Sequence, residues 1–311
     1  MKLIQDIKLS AESQPDPYIL EAEGRFYIYA TGDRAVAVYR SDNLFGGYEK
    51  IGDTGAINGK KGFWAPSVIE LGGTYYMYVS CMPEDSNDTH DQAMHVLTSS
   101  SPEGPFENPV QILPPFSIDS HIVKNEAGLF LFYSCNDYES AMGGTYIVVD
   151  RMKDPFTPEG NPVPVIRPTL PEELWAKQRF SPDKDWYTIE GAFYFRSGDW
   201  HYVLYSGNCF ENEYYFVGYA YAHTAESDLT KIKFQKYPSD NVYRPLLAKN
   251  EFEEGTGHNS VIEHDGKFYA VYHARDWRQK TGAYTEYRTA RICKLNVENE
   301  KITAERYEDK V

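Results

Sequence analysis

Along the chain, clusters of aromatic and β-branched residues alternate with short turns rich in Gly, Asp and Asn. One arrangement recurs five times: a short apolar strand, a turn glycine, then an aromatic-rich strand ending in small polar residues. The copies begin Asp16-Pro-Tyr-Ile-Leu with Gly24-Arg-Phe-Tyr-Ile-Tyr-Ala, and Trp64-Ala-Pro-Ser-Val-Ile with Gly73-Thr-Tyr-Tyr-Met-Tyr. Next come Asp119-Ser-His-Ile-Val with Gly128-Leu-Phe-Leu-Phe-Tyr, and Glu190-Gly-Ala-Phe-Tyr-Phe with Gly198-Asp-Trp-His-Tyr. His258-Asn-Ser-Val-Ile with Gly266-Lys-Phe-Tyr-Ala is the fifth. Each reads as a β-hairpin, because glycine supplies the positive φ of a tight turn.

The glycine spacing leaves room for four strands per repeat. Third strands are predicted at 35–40, 93–98, 145–150, 216–223 and 287–295, and turns leading to fourth strands follow near 41–48, 101–106, 153–156 and 227–232. The last repeat closes at 301–307. The expectation is an all-β protein: a five-bladed β-propeller with four antiparallel strands per blade, forming a single catalytic domain over residues 1–311. Only 171–178 reads as a helical turn or two. The longer connections at 84–92 and 167–187 are expected on the rim, shaping a site.

In a propeller the first strand of every blade lines the central channel. Counting back eight or nine residues from each turn glycine gives Asp16, Trp64 or Ala65, Asp119, Glu190 and His258. Three carboxylates, an aromatic and a histidine thus fall at the one register where blades meet. Gathered acids raise at least one carboxyl pKa, and two carboxyls in different environments supply an acid and a base at one pH.

The motifs around these positions are Gln14-Pro-Asp16-Pro-Tyr, Phe63-Trp64-Ala-Pro66-Ser-Val, Ser117-Ile-Asp119-Ser-His, Thr188-Ile-Glu190-Gly-Ala and Gly255-Thr-Gly-His258-Asn. In order and spacing, over the whole chain, they resemble glycoside hydrolase family 43, a five-bladed propeller family of arabinofuranosidases, xylosidases and arabinanases that invert the anomeric centre. The resemblance implies Asp16 as general base, Glu190 as general acid and Asp119 as the residue that tunes and orients the acid. It implies Arg288 as a sugar-binding arginine, with Arg275 a weaker candidate. It also implies His258 as the histidine beneath the site, beside a calcium or sodium ion in some members, although no cofactor is required. Trp64 suits a sugar-stacking platform, and His121 stands two residues from Asp119, where it could help hold it. Asp119 is followed by Ser and Glu190 by Gly-Ala where many members carry Pro, which leaves the subfamily open.

Composition adds exclusions. With 31 basic against 46 acidic residues the net charge is −15, a poor match for a phosphate backbone, so no nucleic acid partner is expected. Cys81, Cys135, Cys209 and Cys293 have no metal-ligand spacing and read as free thiols, of which Cys81 and Cys135 could approach the channel mouth. Neither a secretory leader nor a run of about 18 apolar residues is seen, so the expected location is cytoplasmic, with no membrane partner. The expected substrate is an oligosaccharide bearing terminal α-L-arabinofuranose. A β-xylosidase, an endo-arabinanase and a non-catalytic carbohydrate-binding propeller are the alternatives, and oligomeric state is not encoded in these patterns.

Overall fold

The computed structural model describes residues 2–3, 8–9, 12–277 and 287–308. Among them every long element is a β-strand, and helical turns are confined to two three-residue 3₁₀ turns at Thr89–Asp91 and Pro171–Glu173. No helix among these residues is long and apolar enough to cross a membrane.

The first sheet runs Tyr18–Ala22, Arg25–Ala30, Val36–Ser41 and Glu49–Thr54. The second runs Lys60–Leu71, Thr74–Pro83, Ala93–Ser99 and Glu107–Gln111, and the last runs Glu253–His264, Lys267–Asp276, Thr289–Glu298 and Lys301–Glu305. Within each, neighbouring strands pair antiparallel. Between them lies a ten-stranded sheet with two antiparallel parts. Its N-terminal part is built on Ile118–Asn125, Gly128–Asp137 and Gly144–Asp154, and its C-terminal part on Lys184–Ser197, Trp200–Gly207 and Phe216–His223. The parts join where Gly144–Thr145 lies parallel to Tyr187–Thr188. The chain ends also meet, Lys2–Leu3 pairing with Tyr307–Glu308.

Aromatic-rich second strands are explained by burial on both faces. Along Arg25–Ala30, Phe26, Ile28 and Ala30 pack against Val271 and Ile292 of the last sheet, while Tyr27 and Tyr29 pack against Val68 and Met77 of the second. The same alternation continues. Tyr78 and Val96 meet Ile122 and Leu131, Phe132 and Val149 meet Tyr194 and Val203, and Leu204 and Tyr219 meet Tyr272 and Leu295. Packing therefore passes from each four-strand set to the next and returns from the last sheet to the first.

Two expectations need correction. The fourth strands after 153–156 and 227–232 are reduced to Thr157–Pro158 with Val163–Ile166, and to Gln235–Lys236. Prolines 158, 162 and 164 remove ladder donors there. The helical reading of 171–178 holds only for Pro171–Glu173. The buried Glu173 carboxylate accepts from the amides of Thr169 and Leu170 and from Lys236 Nζ, which closes the single turn. The chain then extends as Leu174–Ser181, hairpin-paired with Lys184–Ser197.

Candidate active site

On or just before the first strand of each set stands a left-handed residue at the same register: Asp16 (φ 54°), Ala65 (44°), Asp119 (58°), Gly191 (64°) and His258 (45°). Strand pairing breaks step at four of them, between Trp64 and Ser67, Ile118 and His121, Glu190 and Phe193, and Gly257 and Ser260. A bulge of this kind redirects a side chain that regular pleating would send into the core. Holding a non-glycine residue there costs roughly 1–3 kcal/mol and requires surrounding support.

That support comes from the neighbouring set. The Asp16 amide donates to His273 Nδ1 (3.1 Å), Ala65 to Thr31 Oγ1 (2.8 Å), Gly191 to Asp119 Oδ2 (3.3 Å) and His258 to Ser206 Oγ (2.7 Å). Donors released from the ladder are thus satisfied across the boundary between sets, as buried amides must be.

The redirected side chains enclose an inner cavity of about 180 Å³ lined by Asp16, Trp64, Asp119, Glu190, His258 and Arg288. All six residues expected at a site therefore meet in one place. Thr31, Ile118, Phe210 and Tyr215 complete the wall and were not expected there from the sequence.

Charge divides the three acids. Burial by itself would raise the Asp16 carboxyl, but the Arg288 guanidinium (3.2 Å) opposes it most strongly, and Asp16 is held well below the usual carboxylate range. Thr31 donates to its other oxygen at 2.6 Å. Burial pushes Glu190 up to about 7; Asp16 adds to the shift, while Tyr215 and Arg288 oppose it. Asp119 is raised well above its ordinary value, first by burial and then by Glu190 and Asp16. Asp119 and Glu190 titrate as a pair. Gly191 N–H (3.3 Å) and the Ser134 hydroxyl (3.5 Å) both donate to Asp119 Oδ2, which partly offsets that rise.

Beyond Glu190 lies an outer chamber of about 560 Å³. Trp64, Ile118, Glu190 and Phe210 line both spaces, so Glu190 stands at the junction. Thr89 and His90 from the 84–92 connection, and Trp175, Arg179 and Trp186 from the 167–187 connection, form its outer walls with Phe116. The Arg179 guanidinium lies 3.5 Å from the Trp175 ring centre.

Residues 9–302 match the family model described as glycosyl hydrolases family 43. The chain belongs to that family. It is a glycosidase. A curated relative from Streptomyces chartreusis, an extracellular exo-alpha-(1->5)-L-arabinofuranosidase, is 25% identical over 289 residues, covering 86% of this chain and 81% of that protein. Among solved structures, a thermostable family-43 glycoside hydrolase superposes with a TM-score of 0.80 at 26% identity, covering 99% of this chain and 98% of that one. The alpha-L-arabinofuranosidase from Lactobacillus brevis shares the fold, with a TM-score of 0.78 at 19% identity over 99% and 100% of the two chains.

Other expected residues of this family 43 chain stand elsewhere. His121 does not hold Asp119. The bulge breaks the two-residue alternation, and the ring stacks on Phe193 (3.9 Å) and reaches the Tyr194 carbonyl through Nε2 (3.2 Å). Arg275 is buried away from the sugar pocket, donating to the carbonyls of Phe210 (2.6 Å) and Asn212 (2.7 Å), where it pins the segment that carries Phe210. Cys209, not Cys81, lines the outer chamber; Cys81 is buried beside His95. His258 Nδ1 stands 3.4 Å from Asp16 Oδ1. Among the described residues no group of three or more His, Cys, Asp or Glu side chains is disposed to hold a metal ion. A hard cation prefers six to eight oxygens, and Asp16 is already shared by Arg288 and Thr31, so this donor set does not fit a calcium or sodium ion.

Proposed function

We propose that this glycosidase is an inverting α-L-arabinofuranosidase that removes terminal arabinofuranosyl residues from oligosaccharides, built as a five-bladed β-propeller. The packing of each four-strand set on the next, returning from last to first, supports the blade count.

The observation that carries the reading is the place of Glu190. It lies between a pocket of about 180 Å³, roughly six water volumes and on the scale of one sugar ring, and a chamber three times larger. A terminal sugar seated inward and the remaining chain outward put the glycosidic oxygen beside this carboxyl. In that pose Asp16, held ionised, takes a proton from water as the water attacks the anomeric carbon. Glu190 gives its proton to the departing oxygen as the C–O bond breaks. Asp119, close by, tunes and orients Glu190. Arg288 and Trp64 bind the inner sugar by hydrogen bonding and stacking, and His258 forms part of its floor. An inverting mechanism needs its two carboxyls about 6.5–9.5 Å apart, with the water between base and sugar. These steps use side chains alone and need no ion.

A pocket of this size also admits xylose, and the relative's arabinofuranosidase activity favours arabinose. The test is release of p-nitrophenol from the α-L-arabinofuranoside and the β-D-xyloside by wild type and Glu190→Ala, with the first-formed anomer read by proton NMR. Arabinoside turnover with inversion, collapsing in the variant on natural oligosaccharides, is the expected result. Faster xyloside turnover replaces the sugar assignment, and binding without hydrolysis replaces the enzyme assignment with a lectin-like role.

A further inference from the structure

Tyr215 is almost fully buried at the start of the strand Phe216–His223, and its hydroxyl donates to Glu190 Oε1 at 2.8 Å. The phenol has one proton to give, and it goes to Glu190.

The ring has a second contact. It stacks on His273, centroids 5.8 Å apart and planes 14° from parallel, and His273 Nδ1 receives the Asp16 amide at 3.1 Å. Burial pushes His273 down to about 3, so the ring is neutral and its Nδ1 is an acceptor. Room for Tyr215 is made by Gly257, where a Cβ would come within 1.9 Å of the tyrosine ring. Glycine in the Gly255-Thr-Gly-His258 motif is therefore required by the aromatic side chain beside it.

We propose that Tyr215 is a positioning residue for the acid: its hydroxyl fixes Glu190 through Oε1, leaving Oε2 to carry the proton into the junction between the two cavities. Through His273 the same ring sets the placement of Glu190 relative to Asp16. This rests on the assignment of Glu190 as general acid. The other groups facing Glu190 are Asp16, Asp119, Arg288 and Cys209, with neutral His258 packed behind Gly191. Because the hydrogen bond from Tyr215 favours the ionised carboxyl, removing it moves the Glu190 titration to higher pH.

The experiment compares wild type and Tyr215→Phe on an α-1,5-linked arabino-oligosaccharide and on p-nitrophenyl α-L-arabinofuranoside across pH. The Glu190 carboxyl is titrated by carbon-13 NMR in parallel. Tyr215→Phe is expected to lower kcat on the oligosaccharide about 10-fold, the loss of a hydrogen bond that strengthens as Glu190 gives up its proton, with KM unchanged. The aryl glycoside, whose leaving group needs less protonation, falls less, and the basic limb of both profiles moves upward. A basic limb and Glu190 titration identical to wild type in Tyr215→Phe overturn the proposal. Glu190→Ala is the control that separates the two readings. If it hydrolyses oligosaccharide normally, the acid assignment fails; if it is inactive while Tyr215→Phe matches wild type, only the role of Tyr215 fails.

Discussion

The inner pocket and the outer chamber share four wall residues yet are built on different principles. Inner side chains sit at one register on or just before the first strands of the sets, turned inward by bulges whose amides are held across set boundaries. They are mostly ionisable, and their neighbours force the acids apart in proton affinity. Much of the outer chamber comes from connections, and its walls are mostly uncharged, with the rings of Trp64, Phe116, Trp175, Trp186 and Phe210 among them. Chemistry is thus placed where the backbone is over-determined, and recognition of the departing chain where the backbone is free to vary.

Removing the base should break this contrast most severely. Asp16→Asn is expected to lower kcat about 10²–10⁴-fold while oligosaccharide binding, measured calorimetrically, persists through the outer chamber. Loss of binding together with turnover would show that the two spaces are not separable.

The next effect is on stability and acts at the junction of the two spaces. Glu190 has a raised folded-state pKa, so ionising it destabilises the fold as pH climbs from the unfolded value of about 4.3 through about 7. Glu190→Gln removes that cost and is expected to stabilise the protein on the order of 1–3 kcal/mol at pH 8, with little gain at pH 4. Thermal unfolding at the two pH values is the check, and an equal gain at both would place the effect in packing.

The smallest expected effect isolates the outer chamber. Trp175→Ala is expected to raise KM for oligosaccharides several-fold, consistent with about 0.5–1.5 kcal/mol for an aromatic contact, and to leave kcat/KM for the p-nitrophenyl arabinoside unchanged. Equal losses on both substrates would mean that the Trp175 hairpin supports the inner pocket as well.

The same division governed what could be read from the sequence. Asp16, Asp119, Glu190 and His258 were legible because a turn glycine marks the hairpin tip, and first strands of near-constant length place each acid at a fixed distance from it. Phe116 lies on an irregular segment and Trp175 on an added strand outside the repeat, so distance from a turn glycine gives neither a position. Tyr215 was hidden by its surroundings, one tyrosine among 26 at the head of an ordinary strand. Its only trace was the glycine at 257. His121 was misplaced because alternation was extended through a bulge that hydrophobic patterning does not reveal. The helical reading of 171–178 failed because the turn is closed by the distant Lys236 and the next strand is recruited by pairing.

Because every bulge amide with a side-chain partner described above is held by an adjacent set, the sets are not independent modules. If one pulls away, its neighbour loses the acceptor that keeps a reactive residue in its left-handed pose. Heating should therefore extinguish turnover and secondary structure in the same step, with no lingering population of folded but inactive molecules.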